Sequence, residues 1–241
     1  MDNAGYIALS RALALEHQLT VVAGNLANVT TTGFQAERLR FETVLVRAGE
    51  GERLAFVQDV GRVRDLRGGP LERTEAPLDL AIVGRGYFTV ATPEGPAYTR
   101  AGHFQRDAEG RIVTAAGYPL LDENGIEIVL PEGAGTPVVS EDGVLSLPGA
   151  GPIARIRPVV FADEMNLQRV GDSLYRTDQA PEPSEDVRLV QGALERSNVE
   201  PVQELVRMIE TVRAFEATLK LLETRHELER RAGERSLATQ G

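Results

Sequence analysis

Histidine and carboxylate are the groups most able to do chemistry in this chain, because cysteine is absent altogether. That absence excludes disulfides, thiol nucleophiles and cysteine-based metal sites. His17, His103 and His226 are far apart in sequence. Only His226 has carboxylates within a helical turn, Glu223 and Glu229, and no second histidine joins it as a zinc site would need. Gly84-Arg85-Gly86 begins like a dinucleotide fingerprint, but Thr89 stands where the third glycine belongs and strand-like residues follow. The helix N-terminus that would hold a pyrophosphate is therefore missing, and the segment reads as a hairpin turn. Asp122-Glu123-Asn124-Gly125 starts like a calcium loop, but its glycine comes at the fourth position instead of the sixth and no glutamate closes it at the twelfth. No serine occupies a Gly-x-Ser-x-Gly elbow. Carboxylates are plentiful and nothing marks one pair as acid and base. The reading is a chain with no catalytic residue, no cofactor and no metal, and so not an enzyme.

Composition narrows the partners. The formal net charge is -10 and Lys220 is the sole lysine, the other cations being arginines. No basic block exists, so a nucleic-acid partner is not expected, because phosphate binding needs clustered cations. Aromatics make up 5% and tryptophan is absent, which argues against a stacking platform. No stretch approaches the roughly 20 apolar residues of a membrane span, so direct membrane insertion is not expected. Asp2, Arg11 and Glu16 interrupt the pattern of a secretory signal. By classical routes the chain stays in the cytoplasm, and export requires another machine.

The elements that carry the remaining information lie at the two ends. Residues 3–27 read as a helix with Leu9, Leu13, Leu19, Val22 and Leu26 largely on one face. Asn28 is a helix end, the β-branched Thr30, Thr31 and Thr32 follow, and Gly33 can take the positive φ of a sharp turn. The chain then runs as an extended arm or connector over 34–70. Within it, Phe41, Val44 and Leu45 fit a short helix or an arm, and residues 57–63 alternate as a strand. Residues 71–180 form a β-rich domain of short strands between recurring glycine turns, the pattern of a sandwich or barrel. Pro181 and Pro183 open a linker over 181–197. A second helix, 198–232, starts at Ser197 and Asn198, where Ser197-Asn198-Val199-Glu200 fits a capping box. Its stripe is Val202, Leu205, Ile209, Val212, Phe215, Leu219 and Leu222, near a heptad with one slip at Phe215. Beyond it the helix is highly charged, and residues 233–241 read as a frayed tail. The fold class is thus α+β: N- and C-terminal helices around a central all-β domain.

Burying one Leu, Val, Ile or Phe is worth roughly 1.5–3 kcal/mol, so seven such positions give about 10–20 kcal/mol of gross drive. Two helices paired within one molecule leave apolar surface on their outer sides. Neighbouring subunits would cover it; the family resemblance set out below implies that the terminal helices then pair as a coiled-coil-like layer.

Four segments together resemble the rod and hook family of bacterial flagellar axial proteins. They are Asn25-Leu26-Ala27-Asn28-Val29 with Thr31-Thr32-Gly33-Phe34; Leu78-Asp79-Leu80-Ala81-Ile82 continuing to Gly84, Gly86, Tyr87 and Phe88; Tyr98-Thr99-Arg100-Ala101-Gly102-His103-Phe104; and Gln191-Gly192-Ala193-Leu194-Glu195 with Ser197-Asn198-Val199. Their order spans nearly the whole chain. The start, Met1-Asp2-Asn3 with Tyr6-Ile7-Ala8-Leu9-Ser10, is similar to that of proximal rod members. Gly24 departs from the family's usual asparagine, and Gln35 from the basic residue that commonly follows the phenylalanine.

The resemblance implies a structural subunit exported unfolded through the flagellar type III export apparatus, without a cleaved signal peptide. Its site would be the basal-body rod crossing the periplasm. There it would join other proximal and distal rod subunits in a hollow helical drive shaft, a helical hetero- or homo-oligomer whose heterologous contacts propagate without closing. The implied roles are packing for the two stripes and a reversal at Gly33. Asn25 and Asn28 would hydrogen-bond the turn or a neighbouring helix end, Thr32 would sit in that turn, and Phe34 would anchor the arm. The alternatives are a distal rod or hook-type subunit, and a β-sandwich binding module with a helical dimer stalk.

Overall fold

The computed structural model describes residues 3–47, 53–133, 135–184 and 187–238. The chain is mixed α+β and divides into two compact units. The first takes residues 1–27, 37–64 and 200–241, and the second residues 28–36 and 65–199.

In the first unit, α1 (Asn3–Ala27) and α2 (Pro201–Ala238) accompany a long antiparallel hairpin of β1 (Glu37–Arg47) and β2 (Arg53–Arg64). The hairpin register runs from Glu37 opposite Arg64 to Arg47 opposite Arg53, with a bulge between Arg40 and Phe41. The segment around Phe41, Val44 and Leu45 is therefore strand, because its β-branched and aromatic residues find a paired partner in β2. The helices run antiparallel. Asn25 near the end of α1 reaches Glu204 near the start of α2, and a Cβ placed on Gly5 would lie 3.9 Å from Arg225. Both hairpin strands also contact α1.

The start of α2 differs from the sequence expectation. The helix begins at Pro201, with Glu200 O accepting from Glu204 N at 3.1 Å. Proline at the first helical position loses nothing, since that N–H has no intrahelical acceptor. Ser197 and Asn198 do not cap it: Ser197 Oγ accepts from Val199 N, and Asn198 is spent elsewhere. At the other end, α2 continues to Ala238, past the expected boundary at 232. An Arg231–Glu227 pair one turn apart supports the turn just before that boundary. Residues 239–241 of the expected tail lie outside the described residues.

The second unit is built of short strands: β3 (Leu71–Arg73), β4 (Leu80–Val83), β5 (Phe88–Thr92), β6 (Gly95–Thr99), β7 (Phe104–Arg106), β8 (Ile112–Thr114), β9 (Val138–Val139), β10 (Val144–Leu147), β11 (Gly151–Arg155), β12 (Val159–Val160), β13 (Gln168–Gly171), β14 (Leu174–Arg176), β15 (Glu182–Pro183), β16 (Arg188–Gln191) and β17 (Ala193–Glu195), with a 3-10 turn at Glu164–Asn166. Among the described residues these form a four-stranded sheet, β13-β14-β6-β5, a three-stranded sheet, β11-β10-β9, and four two-stranded pairs. They do not make the two broad sheets of a sandwich or a closed barrel, because strands of two to five residues offer too few ladder positions for either.

Two local readings change with this topology. The Gly84-Arg85-Gly86 turn is not a hairpin: β4 pairs with β16 and β5 with β6, so the turn hands the chain from one sheet to another. Residues 181–197 are not a linker. They carry β15, β16 and β17, each paired to an earlier strand, because Leu189 and Ala193 are buried by that pairing. The main core gathers Leu80, Phe88, Ile112, Leu120, Leu145 and Leu189. A second cluster is aromatic, with Tyr87, Tyr98, Phe161 and Tyr175 in edge-on or tilted contact at centroid distances of 4.7–6.1 Å.

Candidate functional site

The motif turn comes first in the chain. Asn28 accepts twice from Thr31, through its backbone and its side-chain oxygen, each at 3.1 Å, and Phe34 N closes on Thr31 O. Thr32 is half-buried within this turn. Gly33 follows at φ 66°, donating to Glu195 O at 2.7 Å. A Cβ there would sit 2.5 Å from the carbonyl carbon of Arg100, so both the dihedral and the space demand glycine. Phe34 is buried with Ala36 and Val199, and the Arg169 guanidinium lies 4.4 Å from its ring centroid. Gln35, one of the two departures from the family pattern, is buried and accepts from the Tyr87 hydroxyl at 3.4 Å. The other departure, Gly24, has open space where a side chain would go.

Around that turn the four motif segments converge on one ion pair. Arg100 and Glu195 are 95 residues apart, both nearly without exposure, and their side chains meet at 2.7–2.9 Å. Arg100 also donates to the carbonyls of Gly86 and Gly84, and the second Glu195 oxygen accepts from Gly69 N at 3.0 Å. Such a pair is tolerable in an interior only because the remaining donors and lone pairs are filled. Both residues stand inside the motif segments, and spacing alone could not have joined two side chains 95 residues apart.

Asn198 gathers a second set of threads. Its oxygen accepts from Ala36 N at 2.7 Å, and its nitrogen donates to Asp65 O and Arg67 O at 2.9 and 2.8 Å. It therefore clamps the chain before β1 to the chain after β2, and is a cross-brace, not a helix cap. Gln191 acts similarly, donating to Pro77 O and Pro137 O and accepting from Val139 N.

The terminal helices use an unexpected seam. Along α2 the buried positions are Glu204, Thr211 and Thr218, seven residues apart, with Met208, Phe215, Leu222 and Arg225 half-buried beside them. On α1 the buried positions include Ala8, Ala12, Val22 and Asn25, with Leu19 and Leu26 half-buried. The two helices contact each other along these faces. The threonine hydroxyls bond back to their own helix, Thr211 to Arg207 O at 2.7 Å and Thr218 to Ala214 O at 2.8 Å, which leaves methyl groups for the partner.

The expected stripes are therefore not what joins the two helices. Leu9, Leu13, Val202, Leu205, Ile209, Val212 and Leu219 are all classed as exposed, Ile209 by 52% and Val202 by 73%. Of the predicted positions only Val22 is buried, while Leu19, Leu26, Phe215 and Leu222 flank the seam. The rest of the two stripes therefore lies away from the α1–α2 contact.

Among the described residues no three His, Cys, Asp or Glu side chains gather as metal ligands. His103 meets the buried Asp79 at 2.7 Å across an isolated bridge just ahead of β7 and β4, a pair without a nucleophile in the hydrogen bonds it makes. No helix is long and apolar enough to cross a membrane among the described residues.

Two terminal helices, an outward apolar stripe and a β unit braced by motif residues define a class of filament-forming structural subunit, and the comparisons agree with it. Residues 81–147 match the model of the flagellar hook protein FlgE/F/G D1 domain, and residues 190–234 match that of the flagellar basal body rod FlgEFG protein C-terminal region. The chain is similar to the flagellar basal-body rod protein FlgF of Caulobacter vibrioides, 41% identical over 98% of both chains. It is likewise similar to FlgF of Rhizobium meliloti, 36% identical over 92% of both. Flagellar basal-body rod protein FlgG of Buchnera aphidicola is 33% identical over 88% of this chain and 91% of its own length. The chain belongs to the FlgE/F/G family of flagellar hook and basal-body rod proteins.

Proposed function

We propose that this protein is a structural subunit of the flagellar basal-body rod, of the FlgF kind, assembling in the proximal rod. The observation that carries the reading is the outward stripe of α2. Val202, Leu205, Ile209, Val212 and Leu219 lie open along a helix whose other face is already occupied by α1. An apolar row of this length is rarely left to solvent and marks an interaction site. The residues that cover it belong to neighbouring axial subunits, so that the paired helices form a coiled-coil-like inner layer around the export channel. Leu9 and Leu13 extend the same surface on α1. The partners are homologous rod proteins and the type III export apparatus. The localisation is the rod crossing the periplasm, reached without signal cleavage. The role is mechanical and not enzymatic.

The similarity to FlgG keeps a second reading, a place further along the same shaft, which changes the neighbours and not the chemistry. The experiment is complementation of a strain lacking the gene, with basal bodies isolated and probed for the subunit. Wild-type protein is expected in the rod fraction. The Ile209→Asp variant is expected to be missing from it while remaining soluble with its β circular dichroism intact. Wild-type protein absent from intact basal bodies would overturn the reading.

A further inference from the structure

We propose that Asn25 is the positioning residue that aims the β1–β2 hairpin along α1. The side chain is 1% exposed and ties three elements of the helical unit together. Its oxygen accepts from Glu37 N at 2.9 Å and its nitrogen donates to Glu37 O at 2.8 Å, so the amide pairs with the first peptide of β1 as a neighbouring strand would. The second N–H of the same nitrogen points to Glu204 Oε2 at 3.4 Å, and Arg207 pairs with the other Glu204 oxygen. Asn is the one side chain of this length that offers a donor and an acceptor side by side. Aspartate would lose the donor and set a second carboxylate against Glu204.

Beside this contact the described apolar side chains of β1 are only partly covered. A cavity of about 180 Å³ opens beside it, lined by Val21 and Val22 of α1, by Leu39 and Phe41 of β1, and by Arg207. Leu39 is only half-buried and Phe41 is exposed by 38%. Where packing is incomplete, directional hydrogen bonds decide the geometry. The last turn of α1 thus sets the direction of a hairpin eleven residues long on its first strand through one amide.

The test is a pulsed electron–electron resonance distance between spin labels on cysteines introduced at Glu16 and Arg40, both exposed, in a chain that has no cysteine of its own. The parent protein should give one narrow distance. Asn25→Asp should broaden it about twofold as a fixed geometry gives way to loop-like motion, with the helical circular dichroism kept. Leu39→Ala, which thins the packing and keeps the amide, should leave the distance narrow. An unchanged narrow distance in a helical Asn25→Asp protein would overturn the proposal. If Asn25→Asp unfolds the helices, Leu39→Ala decides alone: a narrow distance supports the amide, and a broad one assigns the aim to packing and overturns it.

Discussion

The two units solve opposite problems with the same chain. The β unit closes on itself: Leu80, Phe88, Leu120 and Leu145 are at or near zero exposure, and even its central charges, Arg100 and Glu195, are paired inside. The helical unit does the reverse. It spends its small residues on the contact between α1 and α2 and leaves Leu9, Leu13, Leu205, Ile209 and Val212 open. The lesson is that hydrophobic strength and intramolecular burial are separate choices. The strongest apolar row is left out of the molecule's own fold, and such a row marks an interaction site.

Breaking the closed unit should have the largest effect. Arg100→Met leaves Glu195 charged and unpaired and frees the carbonyls of Gly84 and Gly86. A loss of about 3–5 kcal/mol is expected in urea denaturation followed by the β signal, since an orphaned buried charge is costly. Gly33→Val comes next. A β-branched residue at φ 66° costs about 1–3 kcal/mol in backbone strain alone, before the clash with Arg100. A lowered midpoint in the same denaturation would register it.

The open unit should respond differently. Ile209→Asp is expected to change unfolding free energy by no more than about 0.5 kcal/mol, as exposed substitutions do, while abolishing assembly. Equal losses of stability and assembly would erase the contrast between the units. The smallest effect belongs to a surface pair. Desolvation would raise the Asp107 carboxyl, but hydrogen bonds from the Arg111 side chain and backbone outweigh it and hold it below the usual carboxylate range. A depressed folded-state pKa contributes stability that is present above the unfolded carboxylate pKa and is lost as pH falls through the folded value. Asp107→Asn should therefore cost a little stability at neutral pH and nothing in strong acid, read from denaturation midpoints across pH.

The elements that persist over many residues were legible in the sequence. The span of α1 followed from its periodicity, and the glycine turns at Gly95, Gly110, Gly125 and Gly143 follow positive φ angles that the residue type announces. What stayed hidden depends on partners distant in sequence. Asn198 looks like a helix cap next to Val199 and Glu200, and becomes a cross-brace only because Ala36, Asp65 and Arg67 come to it. Residues 181–197 look like a linker because of their prolines, and become strands because β4, β3 and β12 wait for them. The seam of α2 was missed for a related reason. Periodicity weighs side-chain hydrophobicity, while the burial of Thr211 and Thr218 follows from where α1 lies.

Amide hydrogen exchange on the purified subunit and on the same subunit within isolated basal bodies tests the central claim most directly. The account predicts that α1 and α2 gain strong protection in the particle while the core strands β4, β5 and β10 exchange alike in both states. Equal protection of the two helices in both states, or a gain confined to the β unit, would contradict it.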